Sequence, residues 1–223
     1  MGNDMENERR LQMAQEFMSY DPWRNLTSRN GIPGDELVSA LQKSIRRADE
    51  ATACRVAYEM YITSEQFEDK MWRRLNAISV EDIGFGNTNA PILIHTLDQM
   101  RKKFPYDDGD RPLFFMHAIR FLCKQKKERS TDCLKNIIQR EFLYGQIPEI
   151  PDYAYDMHTG KGREMGRGVL DFLDVRSKVT PLADDYDPTY ENQMREMVLA
   201  EENGEAPETR PEVEPFQYGV WQY

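Results

Sequence analysis

The sequence predicts an all-α fold of stacked antiparallel helical pairs, followed by an acidic, disordered C-terminal tail. Between residues 34 and 145, apolar residues recur at helical spacing in successive segments. Strand-like alternation bounded by turns is absent from the same region. Hydrophobic residues make up 39% of the 223 residues and charged residues 30%, which suffices for one domain of ordinary size with tails.

Each helical segment has a predicted core-facing side and most have a predicted start. The predicted core-facing residues are Leu37, Leu41, Ile45 and Ala48; Phe67, Met71, Leu75 and Ile78; Leu93, Leu97, Met100 and Phe104; Leu113, His117 and Phe121; and Leu134, Ile137 and Ile138, with Glu141 at the exposed edge. The expected N-terminal caps are Gly34 or Asp35, then Ser64, then Ser130 or Thr131.

Composition divides the chain into four parts. Residues 1–33 form an extension with a short helix near 8–20, and residues 34–180 form the all-α domain. Residues 181–215 form an acidic, partly disordered linker with a helix near 188–200, and residues 216–223 form an aromatic peptide. The net charge is −10, and residues 184–215 alone contain eleven acids against two arginines, so the rest of the chain is close to neutral.

Two stretches of the chain resemble a known family. DELVSALQKSIRRADEATACRVAYEM at 35–60 and RRLNAISVEDIGFGNTNAP at 73–91 resemble two signatures of the replication-associated recombination protein A (RarA) family. This family, also called MgsA, includes the Werner-helicase-interacting ATPase. Over residues 35–175 the resemblance implies the C-terminal collar domain, through which family members form clamp-loader-like tetramers at stalled replication forks. The Gly-x4-Gly-Lys-Ser/Thr loop of the family's AAA+ ATPase module does not occur in these 223 residues.

The resemblance implies a non-catalytic oligomerisation or adaptor protein in DNA replication, recombination or repair. The implied partners are further copies of the chain, as a tetramer, or a replication or repair protein. An inhibitor of a full-length host AAA+ ATPase is an alternative. The residues expected to contact a partner or another copy are Lys43, Arg46, Arg47, Arg73, Arg74, Glu81 and Asp82. A plain solvated helix face stays open for residues 43, 46 and 47, because they lie opposite the apolar side of their segment.

The adjacent acids Glu81 and Asp82 suggest paired carboxylates for acid–base chemistry. Adjacent side chains on a helix diverge by about 100°, however, so we do not expect them to converge on a substrate. We favour a helix-end role, in which an acid bonds to neighbouring helix ends or to arginines. Gly84 and Gly86 would then supply the turn.

The stretch HTGKGREMGRG at 158–168, called the basic turn below, resembles a phosphate-binding loop. A Walker loop requires Lys followed by Ser or Thr, whereas Lys161 precedes Gly162. We therefore interpret its glycines as turn positions that lead into a short helix near 168–177. Lys161, Arg163 and Arg167 are candidates for phosphate or nucleic-acid contact, so a DNA-binding accessory protein is a second hypothesis, and a solvated turn is its alternative.

The last eight residues, FQYGVWQY, contain the aromatic residues Phe216, Tyr218, Trp221 and Tyr223. An aromatic peptide after an acidic spacer is typical of a tethered segment that docks on another protein or on its own domain.

The sequence shows no converging set of catalytic or metal-binding residues, so we expect no enzyme, no metal and no other cofactor. The cysteines Cys54, Cys123 and Cys133 lack CxxC spacing and are expected to be reduced and buried. No apolar run approaches the roughly 18–20 residues that span a bilayer. These features together predict a cytoplasmic protein without membrane contact.

Overall fold

The computed structural model describes residues 22–205 and the isolated positions 5, 8 and 208. The chain divides into two compact units, Met1–Ile147 and Pro148–Tyr223. In the described residues the regular elements are helices, with one isolated β-bridge between Thr27 and Pro33, which confirms the all-α class. The predicted domain 34–180 spans the first unit and part of the second. Apart from Glu8, the helix expected near 8–20 lies outside the described residues.

Helices that follow each other closely in the chain form the first unit. They are α1 (Gly34–Arg46), α2 (Glu50–Thr63), α3 (Glu65–Ile78), α4 (Ala90–Arg101), α5 (Arg111–Lys124) and α6 (Ser130–Leu143). A π-helical turn (Ser79–Ile83) and a 3-10 turn (Gly84–Gly86) continue α3. The pairs α1–α2, α2–α3 and α4–α5 pack together, and α5 also packs on α2.

One predicted helix cap is confirmed and two are wrong. The Ser64 hydroxyl accepts a hydrogen bond from the Phe67 amide at 3.3 Å, as expected. At α1 the cap position is Pro33, and Gly34 is already the first helical residue. A Cβ at position 34 would lie 2.9 Å from the Trp23 carbonyl oxygen, which favours glycine there. At α6 the Glu128 carboxylate accepts from the Ser130 amide at 2.7 Å, so a residue outside the helix takes the capping role.

Helices α1 to α5 and the π-helical turn together form the core of the first unit. Its largest fully buried side chains are Trp72, Phe115, Leu41, Ile45, Met60, Met71, Leu75, Ile78, Ile83, Ile94, Ile119 and Leu122. The predicted core-facing side is confirmed for α3. It also holds for α1, except that Ala48 lies beyond the helix end, exposed and with a φ of 59°.

The predicted core-facing side is partly wrong for α4. Leu97 is buried and Leu93 packs against the core as predicted, whereas Met100 is 43% exposed and Phe104 lies past the end of the helix. Ile94 and Arg101 are also buried, so the core-facing side includes a charged residue that an apolar pattern assigns to solvent.

A similar error affects α5. Phe115, Ile119 and Leu122 are buried and the predicted Phe121 packs against the core, whereas the predicted Leu113 is 61% exposed and His117 is exposed. An arginine, Arg111, is buried at the start of this helix.

These two arginines share one buried carboxylate, and we call the group of Glu68, Asp98, Arg101 and Arg111 the Glu68 cluster. Arg111 Nη2 donates to Glu68 Oε2 at 2.8 Å, and Arg101 Nη1 lies 3.0 Å from the same oxygen. Arg101 Nε donates to Asp98 Oδ1 at 2.9 Å, and its Nη2 donates to the exposed Asp69 at 2.6 Å. Although burial opposes the charge on Arg101, its hydrogen bonds to Asp69 and Asp98 raise the pKa of the guanidinium.

The Glu68 cluster ties three helices together. Glu68 comes from α3, Arg101 from α4 and Arg111 from α5, and the Glu68 side chain has no exposed surface. An ion removed from water is tolerated only where opposite charges and hydrogen bonds surround it, and the loss of one partner leaves the others uncompensated. The cluster therefore selects the one arrangement of α3, α4 and α5 in which all its charges are paired.

Helix α6 differs from the other helices of this unit. None of its residues is buried, and the predicted core-facing Leu134, Ile137 and Ile138 are 57%, 52% and 42% exposed. The helix predicted from the apolar pattern is confirmed, but the prediction that its apolar side faces the core is wrong.

The second unit contains shorter elements. They are a 3-10 turn (Asp152–Ala154), α7 (Gly160–Glu164), α8 (Val169–Asp171) with a π-helical turn (Phe172–Arg176), and α9 (Thr189–Glu202). The helices expected near 168–177 and 188–200 are confirmed, while α7 was not expected. In the described part of the chain, no helix is both long and apolar enough to cross a membrane.

We expect Glu68→Gln to lower the free energy of unfolding by about 3–5 kcal/mol, since it leaves two buried arginines short of a counter-charge. Urea denaturation followed by circular dichroism measures this loss. Glu65→Gln is the control, because Glu65 lies on the same helix and is exposed. Equal losses in the two variants would contradict the role given to Glu68.

Candidate functional site

The charged residues of the two family-like stretches meet in space. Arg46 is at the end of α1, and Glu81 and Asp82 are in the π-helical turn. Arg46 Nη2 donates to Glu81 Oε1 at 2.7 Å, and Arg46 Nε donates to Asp82 Oδ1. Arg74 Nη1 and Arg129 Nη2 lie 3.9 Å and 3.8 Å from Glu81 carboxylate oxygens. We call these five residues the Asp82 cluster.

Asp82 is the buried centre of this cluster. Its side chain has no exposed surface, and Gln42 Nε2 donates to its Oδ2 at 2.8 Å. Arg129 Nε lies 3.3 Å from Oδ1, so both carboxylate oxygens are bonded. The three arginines of the cluster are between 27% and 42% exposed, so the cluster has a buried anionic centre and a cationic rim.

The predicted helix-end role of Glu81 and Asp82 agrees with this geometry, since both acids bond to arginines. The two carboxylates nevertheless converge on one group, because the long Arg46 side chain presents separate nitrogens to each. Adjacent acids are expected to point apart, but a guanidinium is wide enough to bond to both carboxylates with different nitrogens.

The glycines after the π-helical turn let two backbone segments approach closely. Gly84 has a φ of 51°, and a Cβ there would lie 2.5 Å from the Glu128 carbonyl oxygen. A Cβ on Gly86 would lie 2.4 Å from the Lys126 carbonyl oxygen. The Glu128 amide donates to the Asp82 carbonyl at 3.0 Å, which holds Arg129 beside the cluster.

The remaining predicted contact residues lie at the surface. Lys43 is exposed and donates to the Ser39 hydroxyl at 2.8 Å, and Arg47 is exposed and donates to the Lys43 carbonyl at 3.1 Å. Arg73 is also exposed, one position before the half-buried Arg74. The seven predicted residues thus divide into four that bond to each other in the cluster and three that face solvent. The alternative prediction, that these cations lie on a solvated helix face, is confirmed for residues 43 and 47 and is wrong for Arg46.

Sequence reasoning missed Arg129, Gln42 and the whole Glu68 cluster. One available signal was the spacing of Ile94, Leu97 and Arg101 at i, i+3 and i+7, which places the arginine on the apolar side of α4. The pairing of that arginine with Glu68 depends on a contact between distant segments and leaves no local pattern.

The basic turn forms a short helix with a side-chain cap. The Thr159 hydroxyl accepts from the Gly162 amide at 3.0 Å, which starts α7. A Cβ on Gly162 would lie 1.8 Å from the Asp156 carbonyl oxygen, so this position requires glycine. Gly166 has a φ of 71° after the helix, and Gly168 leads into α8. The interpretation of these glycines as turn positions is confirmed for Gly166. Gly160 and Gly162 instead lie within α7, where Gly162 permits a close approach, and Gly168 is extended.

The cations of the basic turn bond within the second unit. Arg167 Nη2 donates to Asp152 Oδ1 at 2.5 Å, and its Nη1 donates to the Asp152 carbonyl at 2.8 Å. Arg163 Nη1 donates to the Met157 carbonyl at 3.1 Å, and Lys161 Nζ lies 4.0 Å from the centre of the Tyr155 ring. The hydrogen bonds from Arg167 and Arg176 lower the pKa of Asp152. Arg167 is only 11% exposed, so it is the least accessible of the three proposed phosphate contacts.

The cysteines differ in exposure. Cys123 is buried, and burial raises the pKa of its thiol to about 11. Cys54 is half-buried, and burial raises its pKa as well. Cys133 is exposed on α6, so the expectation that all three are buried is wrong for this residue, because α6 packs too loosely to cover it.

Two further features bear on function. Within the described residues, no group of three or more His, Cys, Asp or Glu side chains could hold a metal ion. The proposed docking residues Phe216, Tyr218, Trp221 and Tyr223 lie outside the described residues.

No model of a known protein family matches this chain, and no curated protein does either.

We expect Asp82→Asn to lower the free energy of unfolding by about 2–3 kcal/mol, because hydrogen bonds to a buried charge are stronger than neutral ones. Glu81→Gln should lose less than about 1 kcal/mol, since the Glu81 side chain is 26% exposed and partly screened by water. Chemical denaturation of both variants measures the difference. A larger loss in Glu81→Gln would show that Asp82 is not the centre of the cluster.

Proposed function

We propose that this protein is a non-catalytic oligomerisation and adaptor module of the MgsA C-terminal type, acting in DNA replication, recombination or repair. The observation that favours this proposal is the contact of Arg46 with both Glu81 and Asp82. It joins the two stretches on which the family resemblance rests.

This contact bears on the family resemblance, which rests on two short stretches of sequence. If the two stretches lay far apart in the structure, each likeness could have arisen separately by chance. Here an arginine of the first stretch and two acids of the second form one partly buried network, 35 and 36 positions apart in the chain. Because these residues complete one another's charge, the two stretches form one structural feature. This supports their interpretation as parts of a single domain.

In this proposal the partner binds to the exposed cations that take no part in the Asp82 cluster. Lys43 and Arg47 lie at the end of α1, and Arg73 lies on α3, which packs against α1. Exposed arginines and lysines are suited to carboxylates of a partner protein, because they remain solvated until the partner arrives.

The DNA-binding alternative has less support from the described geometry. Arg163 and Arg167 donate to backbone carbonyls, and Arg167 also bonds to Asp152. Arginines that contact DNA phosphates need donors free to face solvent. Nothing in the described residues favours the inhibitor alternative over the adaptor.

The test is affinity capture from the native cells with a variant that reverses the three exposed charges, Lys43→Glu, Arg47→Glu and Arg73→Glu. We expect the unaltered protein to capture a replication ATPase, a single-stranded-DNA-binding protein or a sliding clamp, and the variant to lose that capture at an unchanged melting temperature.

The matched control reverses the exposed Lys103, Lys124 and Lys126, which carry the same total charge elsewhere on the first unit. It should keep the captured protein. Capture that contains no replication or repair protein would contradict the proposed function, and equal losses in both triple variants would contradict the assigned surface. Binding of duplex DNA that weakens steeply with salt would favour the nucleic-acid alternative instead.

A further inference from the structure

Helix α6 packs on the π-helical turn, where Arg129 at its start contacts Asp82 and the Glu128 amide donates to the Asp82 carbonyl at 3.0 Å. Arg129 Nη2 also donates to Asp132, in the first turn of α6, at 2.5 Å. Asn136 Nδ2, one turn later, donates to Asp132 Oδ1 at 3.1 Å. Asp132 and Asn136 are partly buried, so this polar side faces the protein.

The opposite side of α6 is apolar and faces solvent. Its exposed residues are Leu134 (57%), Ile137 (52%), Ile138 (42%), Phe142 (56%) and, just past the helix end, Tyr144 (60%). Leu134, Ile137, Ile138 and Phe142 recur at intervals of three and four residues and so form one continuous stripe, with Tyr144 beyond its end. Scattered apolar residues on a surface need no explanation, but a contiguous stripe is typical of an interaction surface.

Two apolar residues of this stripe and two charged residues beside it are placed symmetrically about Ile138. Leu134 and Phe142 lie four positions before and after it, and Lys135 and Glu141 lie three positions before and after it. A two-fold axis through Ile138 places each residue opposite its counterpart at the same distance along the helix. Such an axis brings Leu134 opposite Phe142 of the other copy, and Lys135 opposite Glu141.

We propose that the partner of this stripe is a second copy of the chain, with the two α6 helices antiparallel and Ile138 at the two-fold axis. A C2 interface must be self-complementary, and the pairs Leu134 with Phe142 and Lys135 with Glu141 meet that requirement. A parallel arrangement brings Lys135 beside Lys135 and Glu141 beside Glu141, and like charges at that distance repel. The proposal deepens the proposed oligomerisation function and rests on it.

Lys135 and Glu141 are available to form ion pairs with the second copy. Lys135 is 58% exposed, and its Nζ lies 3.4 Å from Asp132 Oδ1, a loose pair that the long side chain can leave. Within the described residues, the Glu141 carboxylate has no ion-pair partner in its own chain. Each copy therefore presents one unpaired acid and one weakly held base to the other.

The size of the stripe sets the strength of the dimer. One helix side is smaller than the roughly 800 Å² that each partner contributes to a standard interface. The dimer is therefore reversible, and its population increases with protein concentration.

Sedimentation velocity over a series of concentrations tests the proposal with the full chain. We expect the wild type to dimerise and Ile138→Asp to raise the dissociation constant at least about 100-fold, because two carboxylates would be buried face to face. The control is Ile92→Asp, which changes the same residue type at an exposed position of α4 and should dimerise like the wild type. At concentrations where the wild type is monomeric, neither substitution should shift the melting temperature, since Ile138 and Ile92 are both exposed.

A charge exchange tests the antiparallel register. Lys135→Glu and Glu141→Lys should each weaken the dimer by about 5-fold, and the double variant should restore it to within about 2-fold of the wild type. Residues six positions apart do not meet within one helix, so this rescue requires a second copy.

The outcomes separate this inference from the proposed function. If Ile138→Asp dimerises as well as the wild type, or if the double charge variant does not regain dimerisation, the α6 interface is overturned. Either result leaves the adaptor function intact. A wild type that is monomeric at every concentration overturns both the interface and the oligomerisation part of the function. Loss of replication partners in the capture experiment, with normal dimerisation, overturns only the adaptor part.

Discussion

The first unit depends on a single carboxylate, Glu68, which is buried between Arg101 and Arg111. Apolar helices can slide and rotate against each other at modest cost in free energy, because many packings bury similar area. A buried acid held by two arginines has far fewer solutions, since any rotation of α4 or α5 leaves a charge unpaired in the core. This constraint explains why two helices present arginine, rather than the predicted apolar residues, to the interior.

The Asp82 cluster applies the same principle at the other end of α3. Asp82 has no exposed surface, and arginines from α1 and from the segment before α6 reach it. The π-helical turn and the close approach at Gly84 bring these segments together. Two of the five cations predicted to contact a partner, Arg46 and Arg74, are thereby used inside the chain. The exposed cations near the end of α1 and the apolar stripe of α6 are two surfaces of the first unit that remain open to other molecules.

The sequence contained enough to predict the helices but not which side of each faces the core. In α3 the apolar residues are unambiguous, and the prediction was correct through Ile78. In α4 and α5 it failed for Met100, Leu113 and His117. Arg101 and Arg111 are core residues by virtue of Glu68, a contact between distant segments that no local pattern encodes. In α6 the periodicity predicted the helix but assigned its apolar side to the core. The same limit applies at Arg167, where the bond to Asp152 is invisible in the composition of the loop.

The central claim is that paired buried charges fix helices α3 to α5 within each chain, whereas the apolar side of α6 is left for a second copy. Amide hydrogen exchange, measured residue by residue at increasing protein concentration, tests both halves together. We predict that exchange in α6 slows as the concentration rises, while exchange in α3, α4 and α5 stays slow and constant. Exchange in α6 that is independent of concentration, or core helices whose protection changes in parallel with it, would contradict the account.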